Sequence, residues 1–301
     1  MNQNISVAVI GLGAMGMGAA QSCIRAGLTT YGADLNPLAL EKLKAEGAKG
    51  VSQSAVDFAQ ELDAVLLLVV NVSQVNTVLF GEKGLASHLK PGTAVMVSST
   101  ISAQDAQQIS QKLTGLGLVM LDAPVSGGAA KAAAGEMTVM ASGSQQAFTK
   151  LQPVLDAVAG KVYNIGEEIG LGATVKIIHQ LLAGVHIAAG AEAMALAARA
   201  GIPLDLMYDV VTHAAGNSWM FENRMKHVVE GDYTPLSMVD IFVKDLGLVT
   251  DTAKALKFPL PLASTAFNMF TSASNAGYGK EDDSAVIKIF SGIELPQKKG
   301  A

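Results

Sequence analysis

Val7-Ala8-Val9-Ile10-Gly11-Leu12-Gly13-Ala14-Met15-Gly16 decides how the rest of the chain is read. A short apolar run ends in glycines spaced G-x-G-x-x-G, and the pattern beyond them is helical through about residue 26. The order is strand, glycine loop, helix. In such a unit the first glycine permits a sharp turn and the second lets the backbone approach a pyrophosphate. The third lets helix and strand pack closely, and the helix-end N–H groups face the phosphates. Residues 29–33 read as the next strand, and Asp34 stands at its end, about 20 residues beyond the loop. A carboxylate there accepts hydrogen bonds from an adenosine ribose and repels a 2′-phosphate. The expected cofactor is therefore NAD, held by Gly11, Leu12, Gly13, Ala14, Met15, Gly16 and Asp34.

Strand and helix keep alternating beyond this unit. Asn36-Pro37 opens a helix that Gly47 closes. An apolar strand follows at residues 64–70, and further strands read at 93–98, 118–121, 137–141 and 161–165, with helices at 102–113 and 144–159 among them. This spacing predicts an α/β fold whose N-terminal half is a Rossmann-type, doubly wound sheet with right-handed crossovers. Ligands of such sheets sit beyond the carboxyl ends of the strands. Asn71, the Ser98-Ser99-Thr100 loop and the loop from Asp122 then point at one crevice, and Asn71 joins the candidate cofactor contacts. In the last loop Ser126-Gly127-Gly128 precedes a helix start, and its consecutive N–H groups would form a nest for an anion such as a carboxylate.

Residues 170–199 read as a single helix of roughly 45 Å, with Leu, Ile, Val and Ala on every face. That pattern predicts cover on most sides. Lys176 near its start is the exception. An ammonium there either snorkels out to water or has chemistry to perform. The remainder is helical in pattern, at 203–214, 218–230, 237–256 and 262–275, so the second half is expected to be all-α and joined to the first by the long shared helix. The domains are placed at 1–167 for cofactor and 168–301 for substrate and oligomerisation. Trp219 and Phe221 read as core residues, or as a lid over substrate. The ion-pair alternative for Lys244 is Asp240, four residues earlier on the same helix.

Of the 301 residues half are apolar and 16% are charged, a globular composition. The net charge of −5, with no block of Lys or Arg, favours neither nucleic acid nor membrane as a partner. Cys23 is the only cysteine, which fits a reducing compartment, and with a polar start to the chain the expected location is the cytoplasm. The histidines lack metal-ligand spacing, and no metal is expected. The helical half offers a surface for a homodimer or homotetramer.

Four stretches together resemble the β-hydroxyacid dehydrogenase family, which includes 3-hydroxyisobutyrate dehydrogenase. They are the glycine loop, Asp122-Ala123-Pro124-Val125-Ser126-Gly127-Gly128, Gly170-Leu171-Gly172-Ala173-Thr174-Val175-Lys176 and Lys244-Asp245-Leu246. In Lys176-Ile177-Ile178-His179-Gln180 and Ala215-Gly216-Asn217-Ser218-Trp219-Met220-Phe221 the chain is similar to a bacterial branch that oxidises a four-carbon sugar acid to its 2-oxo acid. The resemblance implies hydride transfer to NAD from a small sugar-acid substrate. It makes Lys176 the proton-transfer residue and the Ser126-Gly127-Gly128 loop the holder of the substrate carboxylate. Thr100 lies by nicotinamide and substrate, and Lys244 on the cofactor side. Much of the family has asparagine where this chain has His179, one turn beyond Lys176 on the same face. His179 is then the second catalytic and substrate-binding candidate. The alternatives are a semialdehyde reductase of the same family, and a non-catalytic NAD sensor, which would need neither Lys176 nor an anion loop.

Overall fold

A computed structural model of the chain describes residues 5–298. Two compact units emerge, Met1–Lys176 and Ile177–Ala301, and the division falls inside the longest helix.

The first unit is built on one sheet in the order β3-β2-β1-β4-β5-β6-β8-β7, with β9 beside β8. Its strands are β1 (Ser6–Ile10), β2 (Thr29–Ala33), β3 (Gly50–Ser52), β4 (Ala64–Leu67), β5 (Ala94–Val97), β6 (Val119–Asp122), β7 (Val125–Ser126), β8 (Met137–Ser142) and β9 (Ala159–Gly166). The helices are α1 (Ala14–Arg25), α2 (Pro37–Ala45), α3 (Val72–Phe80), α4 (Ala103–Gly115), α5 (Gly128–Ala134) and α6 (Gln145–Val158). Strands β3, β2, β1, β4, β5 and β6 run parallel to one another. Successive side chains of a strand face opposite sides, and β1 shows the consequence. Val7 and Val9 join a core with Cys23, Phe148 and Leu151, whereas Ala8 and Ile10 join another with Leu79, Ile109 and Leu113. Both faces are dry, which is why β4 and β5 read as uninterrupted apolar runs.

The sheet departs from the expected parallel order after β6. Strand β8 runs antiparallel to β6 and to the two-residue β7. A parallel return needs a crossover of roughly a dozen residues or more. The link from β7 holds only the seven-residue α5 and its flanks, so the chain turns back on itself instead.

Helix α7 spans Leu171–Arg199, and α8 (Leu204–Thr212), α9 (Trp219–Glu230), α10 (Val239–Ala255) and α11 (Pro261–Ala273) follow it. Ile177, Ala183, Ile187, Ala191 and Met194 of α7 join Phe221, Met225, Phe242, Leu246 and Phe270 in the core of the second unit. This unit also buries an ion pair, Arg224 Nε to Asp283 Oδ1 at 2.7 Å. Beside it Asp282 accepts hydrogen bonds from the N–H groups of Leu236 and Ser284 and from the Ser284 hydroxyl. Burial pushes the Asp283 carboxyl up to about 7 against the pull of Arg224.

All-round cover of α7 is not what the chain achieves by itself. Ile178, Leu182 and Leu196 are 57%, 53% and 69% exposed. At 100° per residue these positions fall on one side of the helix, so the uniform apolar composition conceals a buried face and a bare one. Trp219 is likewise exposed rather than core, whereas Phe221 beside it is buried.

Candidate active site

The carboxyl ends of β1, β2, β4, β5 and β6 lie along one edge of the sheet, because those strands are parallel neighbours. The glycine loop, Asp34, Asn71, Ser98-Ser99-Thr100 and the Asp122 loop follow them in the chain, so this edge collects the predicted residues of the first unit.

Three constraints explain the three glycines of the loop. Gly11 has φ +88°, and a Cβ there would lie 2.9 Å from the Leu68 backbone. At Gly16 a Cβ would fall 1.7 Å from the Gly11 carbonyl oxygen. At Gly13 a Cβ would meet nothing within 4 Å, so no protein atom requires this glycine. Open space above a bare backbone is what a pyrophosphate needs. Capping agrees with this. Helices α2, α3, α4 and α6 carry side-chain caps from Asn36, Asn71, Ser102 and Ser144. Helices α1 and α5 start at Gly13 and Gly127 with no side-chain cap. Orphan N–H groups at a helix start are satisfied by anions, and these two starts are where the sequence places phosphate and carboxylate.

Asp34 reaches back to the loop. Its Oδ2 accepts from the Leu12 N–H at 2.6 Å and its Oδ1 from the Asn36 N–H at 2.8 Å. Leu35 and Leu38 next to it are 82% and 71% exposed, an apolar shelf at the place where an adenosine would lie. The residues present therefore fit a dinucleotide. Asn71 has a structural duty as well, since its Oδ1 caps α3 through the Gln74 N–H at 2.9 Å.

The anion loop is held from below. Gly127 and Gly128 have φ of +132° and +72°, and a Cβ at Gly127 would lie 2.8 Å from the Lys131 side chain. Ser22 of α1 donates its hydroxyl to the Ala132 carbonyl at 2.9 Å, Arg25 donates to the Ala133 carbonyl, and Gly18 lets the two helices touch. Sequence reasoning missed this brace. Ser99, named only with its loop, has a buried hydroxyl with no hydrogen-bond partner among the described residues.

Asp122 proves to be the cap of α7. Its Oδ2 accepts from the N–H groups of Gly170 at 3.0 Å and Ala173 at 2.9 Å and from the Ser142 hydroxyl at 3.3 Å. Ser142 Oγ accepts in turn from the Gly172 N–H at 3.0 Å. A Cβ at Gly172 would lie 2.5 Å from the Met140 carbonyl oxygen, so glycine is what admits the helix to this position. Burial pushes the Asp122 carboxyl up to about 6, against the opposing pull of these donors. The result is a fixed first turn for α7, and Lys176 lies one turn beyond Ala173 on the same face. Lys176 is 6% exposed, which excludes the snorkelling reading.

In the second unit α7 and α10 supply a polar chain. His179 Nδ1 lies 2.9 Å from Gln180 Oε1, and Gln180 Nε2 donates to Asp245 Oδ2 at 2.5 Å. Lys244 Nζ lies 2.5 Å from Asp245 Oδ1. The lysine thus pairs with its neighbour in sequence, while Asp240 accepts from the Ser274 hydroxyl. Among the described residues no cluster of His, Cys, Asp and Glu has the makings of a metal site.

Residues 6–166 match the family profile described as the NAD binding domain of 6-phosphogluconate dehydrogenase. Residues 170–290 match the one described as NAD-binding of NADP-dependent 3-hydroxyisobutyrate dehydrogenase. The chain is 83% identical to an L-threonate dehydrogenase of Haemophilus influenzae, over 100% of this chain and 99% of that one. It is 77% identical to an L-threonate dehydrogenase of Escherichia coli K12, over 97% of each. A crystal structure titled 3-hydroxyisobutyrate dehydrogenase, from Salmonella typhimurium, superposes with a TM-score of 0.93 at 75% identity, covering 95% of this chain and 100% of that one.

Proposed function

The chain belongs to the NAD-dependent hydroxyacid dehydrogenase family that includes 3-hydroxyisobutyrate dehydrogenase, and from that membership we propose that it oxidises L-threonate at C2, with Lys176 as the general base. The observation that carries this reading is Lys176 itself. Withdrawing a lysine from water costs several kcal/mol that its surroundings must offset, and this one sits on a helix turn pinned by Asp122 at the sheet edge that carries the glycine loop. Relatives named for L-threonate that share 77–83% of its residues over nearly the full length support the choice of substrate.

Each candidate then has a task. The Gly11-to-Gly16 loop and the uncapped start of α1 hold the pyrophosphate, and Asp34 holds the adenosine ribose. When bound, NAD supplies the hydride acceptor. The N–H groups of Ser126, Gly127 and Gly128 bind the substrate carboxylate. Lys176 takes the C2 hydroxyl proton as the hydride departs, and in the reverse direction the ammonium returns it while polarising the carbonyl. His179 hydrogen-bonds a substrate hydroxyl from the same face of α7. Thr100 stands by the nicotinamide, and Lys244, steadied by Asp245, serves the cofactor.

We also assign the bare stripe of Ile178, Leu182 and Leu196 to contact between copies of the chain, in a homodimer or homotetramer working in the cytoplasm. The test of function is NAD⁺ reduction by the purified protein over a panel of three- to five-carbon sugar acids. Turnover of L-threonate far above the rest is the expected result. Activity confined to semialdehydes with NADH would replace it with reduction of a semialdehyde acid.

A further inference from the structure

The chain from His179 to Lys244 carries information that its residues do not carry singly. Asp245 is 2% exposed, and its carboxylate offers only acceptor atoms. Lys244 Nζ occupies one oxygen and Gln180 Nε2 the other. The amide of Gln180, 8% exposed, is thereby fixed in orientation: its NH₂ must face Asp245, and its carbonyl Oε1 must face His179. A carbonyl oxygen can only accept. The contact at 2.9 Å is therefore a hydrogen bond donated by Nδ1–H of the histidine.

The geometry points to Gln180 as a positioning residue that, anchored by Asp245, holds His179 in the tautomer with its proton on Nδ1 and its lone pair on Nε2. A ring nitrogen's state is set by the bond its other nitrogen makes, and here that bond traces back to the buried carboxylate of Asp245. The consequence for recognition is a reversal of polarity. An asparagine side chain in place of His179 would be free to donate its NH₂, whereas Nε2 in this tautomer accepts. The group it receives on the substrate is a hydroxyl, donating its proton into the ring nitrogen. A polyhydroxylated acid supplies such a group, and an analogue with that hydroxyl removed does not. This assignment of substrate polarity rests on the placement of His179 at the substrate under Proposed function; the tautomer does not depend on it.

The test uses the full-length protein labelled with ¹⁵N-histidine and needs no substrate. Long-range ¹H–¹⁵N spectra at pH 8, with the His179 signals identified by their loss in His179→Asn, report which ring nitrogen carries hydrogen. The expected result is a protonated Nδ1 and an unprotonated Nε2 in the native chain, with Gln180→Met returning the ring to a mixture or to the Nε2–H form. A native ring protonated on Nε2, or on both nitrogens, overturns the proposal. Kinetics add a second reading. Gln180→Met should lower kcat by roughly 10-fold or more with the KM for NAD⁺ nearly unchanged, and should have little further effect in the His179→Asn background. Full additivity of the two substitutions would show that Gln180 does not act through His179. If no sugar acid is oxidised by the native protein, the functional reading fails, and the spectra still decide the tautomer.

Discussion

Lys176→Ala is expected to lower turnover by at least about 10³-fold while leaving NADH affinity within about twofold. General acid–base groups contribute roughly 10²–10⁴-fold, and Lys176 is asked to supply both proton transfer and polarisation of the carbonyl. NADH affinity should persist because its determinants lie elsewhere, in the glycine loop and in Asp34, whose Oδ2 bonds the loop at Leu12 N. Lys176→Arg separates the two tasks of the lysine. A guanidinium keeps the positive charge and cannot give up its proton at any working pH, so it should be about as inactive as alanine. Near-normal turnover in Lys176→Ala, measured under NAD⁺ saturation, would remove the residue from the mechanism. A largely active arginine variant would leave it an electrostatic role only.

Asp122→Ala should lower kcat/KM about 100-fold or more, although Asp122 is assigned no part in the chemistry. The substitution leaves the Gly170 and Ala173 N–H groups and the Ser142 hydroxyl without their acceptor inside the protein. Each such buried orphan costs about 1–3 kcal/mol. The first turn of α7 would then shift to recover partners, and Lys176 would move with it; a displacement of about 1 Å is enough for a loss of that order. Asp122→Asn keeps an acceptor oxygen and should lose about 10-fold or less.

The same pair of variants carries a pH signature. Burial pushes the folded carboxyl up to about 6 from its ordinary 3.8, so between these values the folded protein binds a proton that the unfolded chain has released. Stability from this group is present below about pH 4 and is lost as pH rises through about 6, a change on the order of 3 kcal/mol. Urea midpoints should show that the native chain loses stability relative to Asp122→Asn between pH 4 and pH 7. Parallel curves would mean that Asp122 is not the buried acid described.

The legible parts of this protein were those where one residue type answers to one local constraint. Gly11 and Gly16 are required by backbone collisions, whereas no protein atom requires Gly13 and it leaves open space over the loop, so a spacing of glycines reports all three. Asp34 was legible from its fixed distance beyond the strand, whereas its bond to the Leu12 N–H of the glycine loop was not. Asp122 was legible only as a loop residue, because the N–H groups it caps lie 48 and 51 positions further on. The bond from Gln180 to Asp245 spans 65 positions and left no local trace. Lys244 shows how a local rule fails. Helical spacing offered Asp240 as its ion-pair alternative, yet the buried Asp245 next in sequence pairs with the lysine, and Asp240 accepts from Ser274. On α7 the sequence is apolar all round, and only the packing of the second unit separates its covered face from Ile178, Leu182 and Leu196.

The most direct test of the account follows one hydrogen. L-Threonate deuterated at C2 is oxidised with NAD⁺, and the reduced nucleotide is analysed by mass spectrometry and proton NMR at C4 of the nicotinamide. The account predicts one deuterium per NADH from the C2-labelled acid and none from acid labelled at C3. Deuterium arriving from C3, or NADH formed without label from the C2-deuterated acid, would contradict it.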